Sequence, residues 1–300
     1  MIYCFPSNMR YIRMKENPKF TVETETTLLQ FLLENINKSR NHIKGLLKRG
    51  QIRVDGKART DFALALRPGQ RVEVQLGAPL DTNAMELPII FEDEDIIVID
   101  KPAGMLTIAT DKESENTAYH IVYEYMKRKP KPGRVFIVHR LDRETSGVLL
   151  LAKREPVKLR LQESWTEAVK RRGYIAVVEG VVHPPEGQIK SWLKQTKTLL
   201  VYSSDKKDDG QLAITNYETL KTAEKYTLLD ISLETGRKNQ IRVHMKDIGS
   251  PVAGDKKYGA QTNPLKRLAL HASELIVLHP ESGEEMVFTA PMPKVFNKLL

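Results

Sequence analysis

This 300-residue chain has one cysteine, Cys4, so it can form no internal disulfide and offers no cysteine cluster for zinc. Its unbroken apolar stretches, such as Val148-Leu149-Leu150-Leu151-Ala152, fall far short of the roughly 20 residues that a membrane-crossing helix needs. The N-terminal text MIYCFPSNMRYIRMKENPKF has no basic segment followed by an apolar run, so no secretion signal is expected and the cytoplasm is the simplest location. There is no GxxxxGK[ST] loop, no GxGxxG after a strand and no HExxH, so nucleotide-driven, dinucleotide-dependent and zinc-peptidase chemistry lack support. Metal ligation is not indicated, because His139, His183, His244, His271 and His279 lie in unrelated segments.

With 41% hydrophobic and 28% charged residues, the chain has material for a core, and its length suits about two domains. The charge is unevenly placed. Residues 1–80 hold 14 Lys and Arg against 7 Asp and Glu, while the other 220 hold 33 against 31. A basic end on a near-neutral body suggests a polyanion-binding module joined to something else.

Within the basic end, Leu28, Leu29, Leu32, Leu33 and Ile36 predict a helix over 24–36, capped by Thr26 or Thr27. A second helix is expected from the cap Ser39 to Gly50, with Ile43, Leu46 and Leu47 on an apolar face and Arg40, Lys44 and Lys48 aligned on another. Ile52 and Val54 then alternate with polar residues into an Asp55-Gly56 hairpin turn, and Pro68-Gly69 leads into a strand at 71–74. The order basic helix then hairpin, in the text SRNHIKGLLKRGQIRVDGK…LRPGQRVEV, resembles the S4 RNA-binding domain over about residues 22–76. The resemblance implies phosphate contacts from Arg40, Lys44, Lys48, Arg49 and Arg53, which would position RNA without reading its sequence.

Residues 77–83, GAPLDTN, are short and turn-rich, and a linker is placed over 77–86. Beyond it, strands are expected at 96–99, 147–152, 173–181, 226–233 and 275–278, and helices at 117–128 and 155–170. Strands outnumber helices without alternating with them, so the fold class is α+β.

Two dense polar segments remain. Val138-His139-Arg140-Leu141-Asp142-Arg143-Glu144-Thr145-Ser146-Gly147 reads, by itself, as a charged turn before a buried strand. Gly236 to His244 alternates, with Ile241 and Val243 opposite Gln240, Arg242 and His244, as an extended sheet face would. Together they say more. HRLDRETSGVLLLAK closely resembles the catalytic motif of the RluA-type pseudouridine synthases, and DKPAGM, YIAVVEG, GRKNQIRVH, GDKKYG and RLALHA follow in the family's order over about residues 87–295. One departure is Lys238-Asn239, where the family commonly has Thr-His.

That resemblance implies a mainly antiparallel mixed sheet over 87–300 and an isomerase with no cofactor, acting as a monomer on structured RNA, either ribosomal or transfer RNA, with ribosomal RNA favoured. Asp142 would be the catalytic carboxylate, attacking sugar or base or assisting elimination; Tyr174 would pack on the target base, and Arg242 would pair with Asp142. Desolvation by a bound base raises a carboxylate pKa by up to about 3–5 units, and a neighbouring arginine lowers it by about 1–3, so the pair keeps Asp142 ionised. Arg140 would fill the space left by a flipped uridine. Gln240 would serve the substrate or only the pocket wall, and Lys101 would be a phosphate contact or a plain surface residue. Two rivals stand beside this reading: a binding or ribosome-assembly factor that keeps the fold without turnover, and an RNA methyltransferase, which would need a glycine-rich nucleoside turn that the chain lacks.

Overall fold

The computed structural model describes residues 18–36, 40–48, 51–74, 87–110, 113, 116–129 and 132–300. The chain divides into two compact units, Met1–Glu86 and Leu87–Leu300. The cap residue Ser39, the helix stop Gly50, Arg49 and the linker 77–86 lie outside the described residues.

In the first unit, β1 (Lys19–Thr21) and β2 (Thr26–Thr27) precede helix α1 (Leu28–Asn35). The expected helix over 24–36 thus begins later. Thr27 is extended and its hydroxyl accepts from the Gln30 amide, which fixes the first turn at Leu28. Helix α2 (Arg40–Lys48) follows, then β3 (Ile52–Val54), β4 (Lys57–Ala58), β5 (Ala65–Leu66) and β6 (Arg71–Val74). Asp55 and Gly56 both have positive φ, 50° and 76°, as a two-residue hairpin turn requires. The sheet order is β1-β6-β3-β4, with β2 and β5 paired separately. Ile43, Leu46 and Leu47 of α2 join Leu28, Leu32, Ile52, Val54 and Val72 in one buried cluster. Burying that helix face leaves Arg40 and Lys44 exposed.

The second unit opens with the antiparallel pair β7 (Ile89–Glu92) and β8 (Ile96–Lys101). Helix α3 (Ala118–Lys127), β9 (Phe136–Ile137) and β10 (Ser146–Ala152) follow. The expected helix at 155–170 is two short helices, α4 (Glu155–Glu163) and α5 (Trp165–Ala168), because β11 (Val169–Glu179) already starts at Val169. Then come β12 (Glu186–Gln195), β13 (Val201–Ser204), β14 (Gln211–Thr222), β15 (Tyr226–Leu233), helix α6 (Gln240–Asp247), β16 (Leu270–Leu278) and β17 (Glu285–Thr289).

These strands form an 11-stranded sheet with the main order β13-β12-β14-β15-β11-β16-β10-β8-β7. The pairing of β10 with β16 is parallel and the other pairings among the described strands are antiparallel. The fold is α+β. All seven residues of β10 are buried, which identifies the apolar run after the polar motif as a central strand. Gly147 makes the β10–β16 junction possible: its φ is +114°, and a Cβ there would lie 2.0 Å from the Ala272 carbonyl oxygen. No helix among the described residues is long and apolar enough to cross a membrane.

Candidate active site

The polar segment 138–145 is a loop whose backbone is tied down from below. The Thr107 hydroxyl donates to the Leu141 carbonyl at 2.8 Å and accepts from the Leu141 amide at 3.1 Å, so one side chain satisfies both backbone groups beside Asp142. The Thr145 amide donates to the Asp142 carbonyl at 3.2 Å, closing the turn. The Arg143 carbonyl accepts from the Gly104 amide at 2.9 Å and from Lys101 Nζ at 3.3 Å.

Lys101 is neither a phosphate contact nor a surface residue. It is fully buried, and its ammonium also donates to the carbonyls of Pro102 and Met105, at 3.0 and 2.8 Å. Three carbonyls use its three N–H donors and leave none for a ligand. Burial pushes its pKa down to about 8, so it still holds its proton at neutral pH. At the start of β10, the Ser146 hydroxyl lies 2.9 Å from His271 Nδ1 and receives a hydrogen bond from Arg267.

Above this support lies a cavity of about 170 Å³, lined in part by Arg140, Asp142, Tyr174, Arg237, Asn239 and Arg242. Asp142 comes from the loop, Tyr174 from β11 and Arg242 from α6, so three distant stretches meet there. Arg242 Nη1 is 3.9 Å from Asp142 Oδ2, and the side chains are 13% and 26% exposed, enough shelter for the charges to feel each other. Burial alone would lower the Arg242 pKa, but the Asp255 hydrogen bonds and charge hold it above its usual value. Burial drives the Tyr174 pKa up to about 12, so the phenol keeps its proton at neutral pH. Its hydroxyl has no hydrogen-bond partner among the described residues. Arg140 is exposed at the rim, beside Arg237 and Lys238, which gives the opening a positive edge.

The segment 236–244 is not an extended sheet face. Gln240 to Asp247 is helix α6, and Gln240, Ile241, Val243 and His244 are all buried. Gln240 donates to the Ile214 carbonyl and the Thr215 hydroxyl and accepts from the Arg237 amide and the Thr235 hydroxyl. Its four hydrogen bonds are used, so it builds the pocket wall and contacts no substrate through them. His244 sits between the Ser191 and Thr215 hydroxyls, and burial lowers its pKa to about 4.

Sequence reasoning passed over Asp255, within the GDKKYG text. This buried carboxylate grips Arg242 in two places, Nε at 2.6 Å and Nη2 at 2.8 Å, more closely than Asp142 does. Tyr258 also escaped notice; its ring centre lies 4.9 Å from the Arg242 guanidinium carbon. Their motif was visible, but nothing local said which charge it would meet.

In the N-terminal unit, Arg40, Lys44 and Arg53 are exposed. Arg53 donates to the Gly56 carbonyl at 3.3 Å, and Lys44 Nζ lies 5.9 Å from the centre of the half-exposed Phe62 ring. The Lys48 side chain and Arg49 fall outside the described residues.

Residues 95–247 match the family described as RNA pseudouridylate synthase. An uncharacterised RNA pseudouridine synthase of Bacillus subtilis is 34% identical over 281 residues, spanning 87% of this chain and 88% of that protein. The ribosomal large subunit pseudouridine synthase D of Nitrosomonas europaea is 32% identical, over 87% of this chain and 79% of its own. Among solved structures, human RNA pseudouridylate synthase domain containing 4 superimposes with a TM-score of 0.57, at 23% identity, over 70% of this chain and 90% of that one, a likeness of fold. With the family's profile spanning the loop of Asp142 and the helix of Arg242, and relatives aligned over most of their length, this chain belongs to the RNA pseudouridylate synthase family, isomerases that act on RNA.

Proposed function

We propose that this chain converts a uridine of structured ribosomal RNA to pseudouridine, with Asp142 as the catalytic carboxylate. The observation that carries the assignment is the cavity in which Asp142 meets a firmly held arginine and an unpartnered tyrosine hydroxyl beneath a basic rim. The ribosomal target rests on relatives named ribosomal large subunit pseudouridine synthase D.

The reaction breaks the N1–C1′ bond, turns the base and forms C5–C1′; the C5 proton leaves and N1 gains one, so substrate and product are isomers. Whether the carboxylate attacks the sugar, attacks the base or assists elimination, it must be ionised when the base shuts water out. Arg242 supplies the compensating charge. Tyr174 presents a neutral ring and hydroxyl to the base, and Arg140 fills the vacated stack at the rim. The N-terminal unit grips RNA phosphates through Arg40, Lys44, Lys48, Arg49 and Arg53 in the manner of an S4 domain. The protein acts as a monomer in the cytoplasm and requires no nucleotide cofactor.

Wild-type protein and Asp142→Asn, each incubated with ribosomal RNA from cells lacking the gene, test this by carbodiimide-stop mapping of pseudouridine. A site made by wild type alone is the expected result, with a loss beyond about 10⁴-fold. Equal yields overturn the role of Asp142. Binding without modification by either protein favours a non-catalytic assembly factor.

A further inference from the structure

Asn239 stands immediately before α6, where an asparagine side chain ordinarily accepts a hydrogen bond from a backbone amide of the first turn. Here it makes no such bond. Its Oδ1 accepts from Arg242 Nη1 at 3.1 Å, and its Nδ2 donates to the Tyr258 hydroxyl at 2.9 Å. The residue is 8% exposed and left-handed, with φ 55° and ψ 20°, a conformation asparagine adopts more readily than most residues. The amide is therefore turned away from the helix and towards the arginine.

The need for it follows from the guanidinium's geometry. Asp255 holds Nε and Nη2 on one edge, at 2.6 and 2.8 Å, and the Tyr258 ring covers a face. Neither contact engages Nη1, the nitrogen that faces Asp142. With only one edge held, the rigid plane rocks about the carboxylate and its far nitrogen swings. Asn239 supplies a third point of attachment, on the swinging atom itself. Tyr258 braces the amide in turn, since its hydroxyl also accepts from the Val201 amide at 3.3 Å.

We propose that Asn239 is a positioning residue, which aims Arg242 Nη1 at the Asp142 carboxylate and so takes over, by a different side chain, a place where the family commonly has histidine. The inference rests on the assignment of Asp142 and Arg242 above. A neutral imidazole also offers one donor and one acceptor, so histidine can make the same two bonds.

Asn239→Gly is the decisive variant. Glycine accepts the left-handed backbone without strain, so the fold is preserved while both amide bonds vanish. Single-turnover and steady-state kinetics on the modified RNA, with thermal melts of the full chain, should show kcat lower by about tenfold or more, KM within about twofold and the melt little moved. Asn239→His should recover kcat to within about threefold of wild type. Wild-type kcat in Asn239→Gly, a change confined to KM or melting temperature, or no recovery in Asn239→His overturns the proposal. Asp142→Asn is run beside them. If it is dead while Asn239→Gly is fully active, only the positioning role falls; if it turns over normally, the catalytic assignment itself falls.

Discussion

In the N-terminal unit, Arg40, Lys44 and Arg53 lie exposed over a core of leucine, isoleucine, valine and phenylalanine; in the second unit, Lys101 and Asp255 are enclosed, with all three Lys101 donors and both Asp255 carboxylate oxygens in hydrogen bonds. Every buried polar or charged side chain among the described residues belongs to the second unit. Exposed cations attract a polyanion at long range, tolerate many geometries and weaken as salt screens them. Buried charges act at short range and only in one geometry, because each is held by partners that also need it. Under the proposed function, gripping RNA asks for the first arrangement, and placing a carboxylate at one glycosidic bond asks for the second.

The contrast is easiest to break at Asp255. Its removal leaves Arg242 sheltered without its principal partner, and Asp255→Ala should destabilise the chain by about 3–5 kcal/mol in urea unfolding. A change below about 1 kcal/mol would show that the pair is dispensable. Acid provides the next largest effect. His139 and His244 have pKa values lowered to about 4, chiefly by burial, against about 6.5 when unfolded. Between those values the unfolded chain binds protons that the folded chain refuses, so stability falls as pH drops from 6.5 towards 4, by roughly 3 kcal/mol per histidine. His139→Gln keeps an acceptor for the Leu150 amide, 3.0 Å from the ring nitrogen, and should remove one histidine's share of the slope. An unchanged slope would place the acid sensitivity elsewhere. The smallest effect on stability belongs to the exposed face. Arg40→Ala with Lys44→Ala should shift unfolding by less than about 0.5 kcal/mol. The same pair should flatten the plot of log affinity for RNA against log salt by about 1 to 2 units. A large loss of stability without a change in salt slope would reverse the comparison.

Much of this architecture was legible beforehand because it was local. The Asp55-Gly56 turn, the Thr27 cap and the unbroken apolar run of β10 each declare themselves within a few residues. The segment 236–244 misled for a physical reason. Five residues of alternating polarity fit a strand, but Gln240 and His244 are four apart and share an inward helix face, where Thr215 and Ser191 satisfy them. Polarity there reports a partner, not water. Lys101 misled in the same way, since its three carbonyl acceptors come from residues 102, 105 and 143 and no local pattern shows them converging. Asp142, Tyr174 and Arg242, which line one cavity, were singled out through whole motifs, whereas Asp255 and Asn239 gain meaning only once Arg242 is placed between them.

The glycine near the start of the central strand sets a condition on which codons position 147 tolerates. Any single-base change in a glycine codon that alters the amino acid gives a residue with a Cβ or a stop, and at position 147 that carbon would run into the backbone of Ala272. Relief cannot come from a neighbouring side chain, because the obstacle is main chain. Each single-base replacement at Gly147 therefore meets the same obstacle, and a library saturated at that codon should return glycine alone among its active clones.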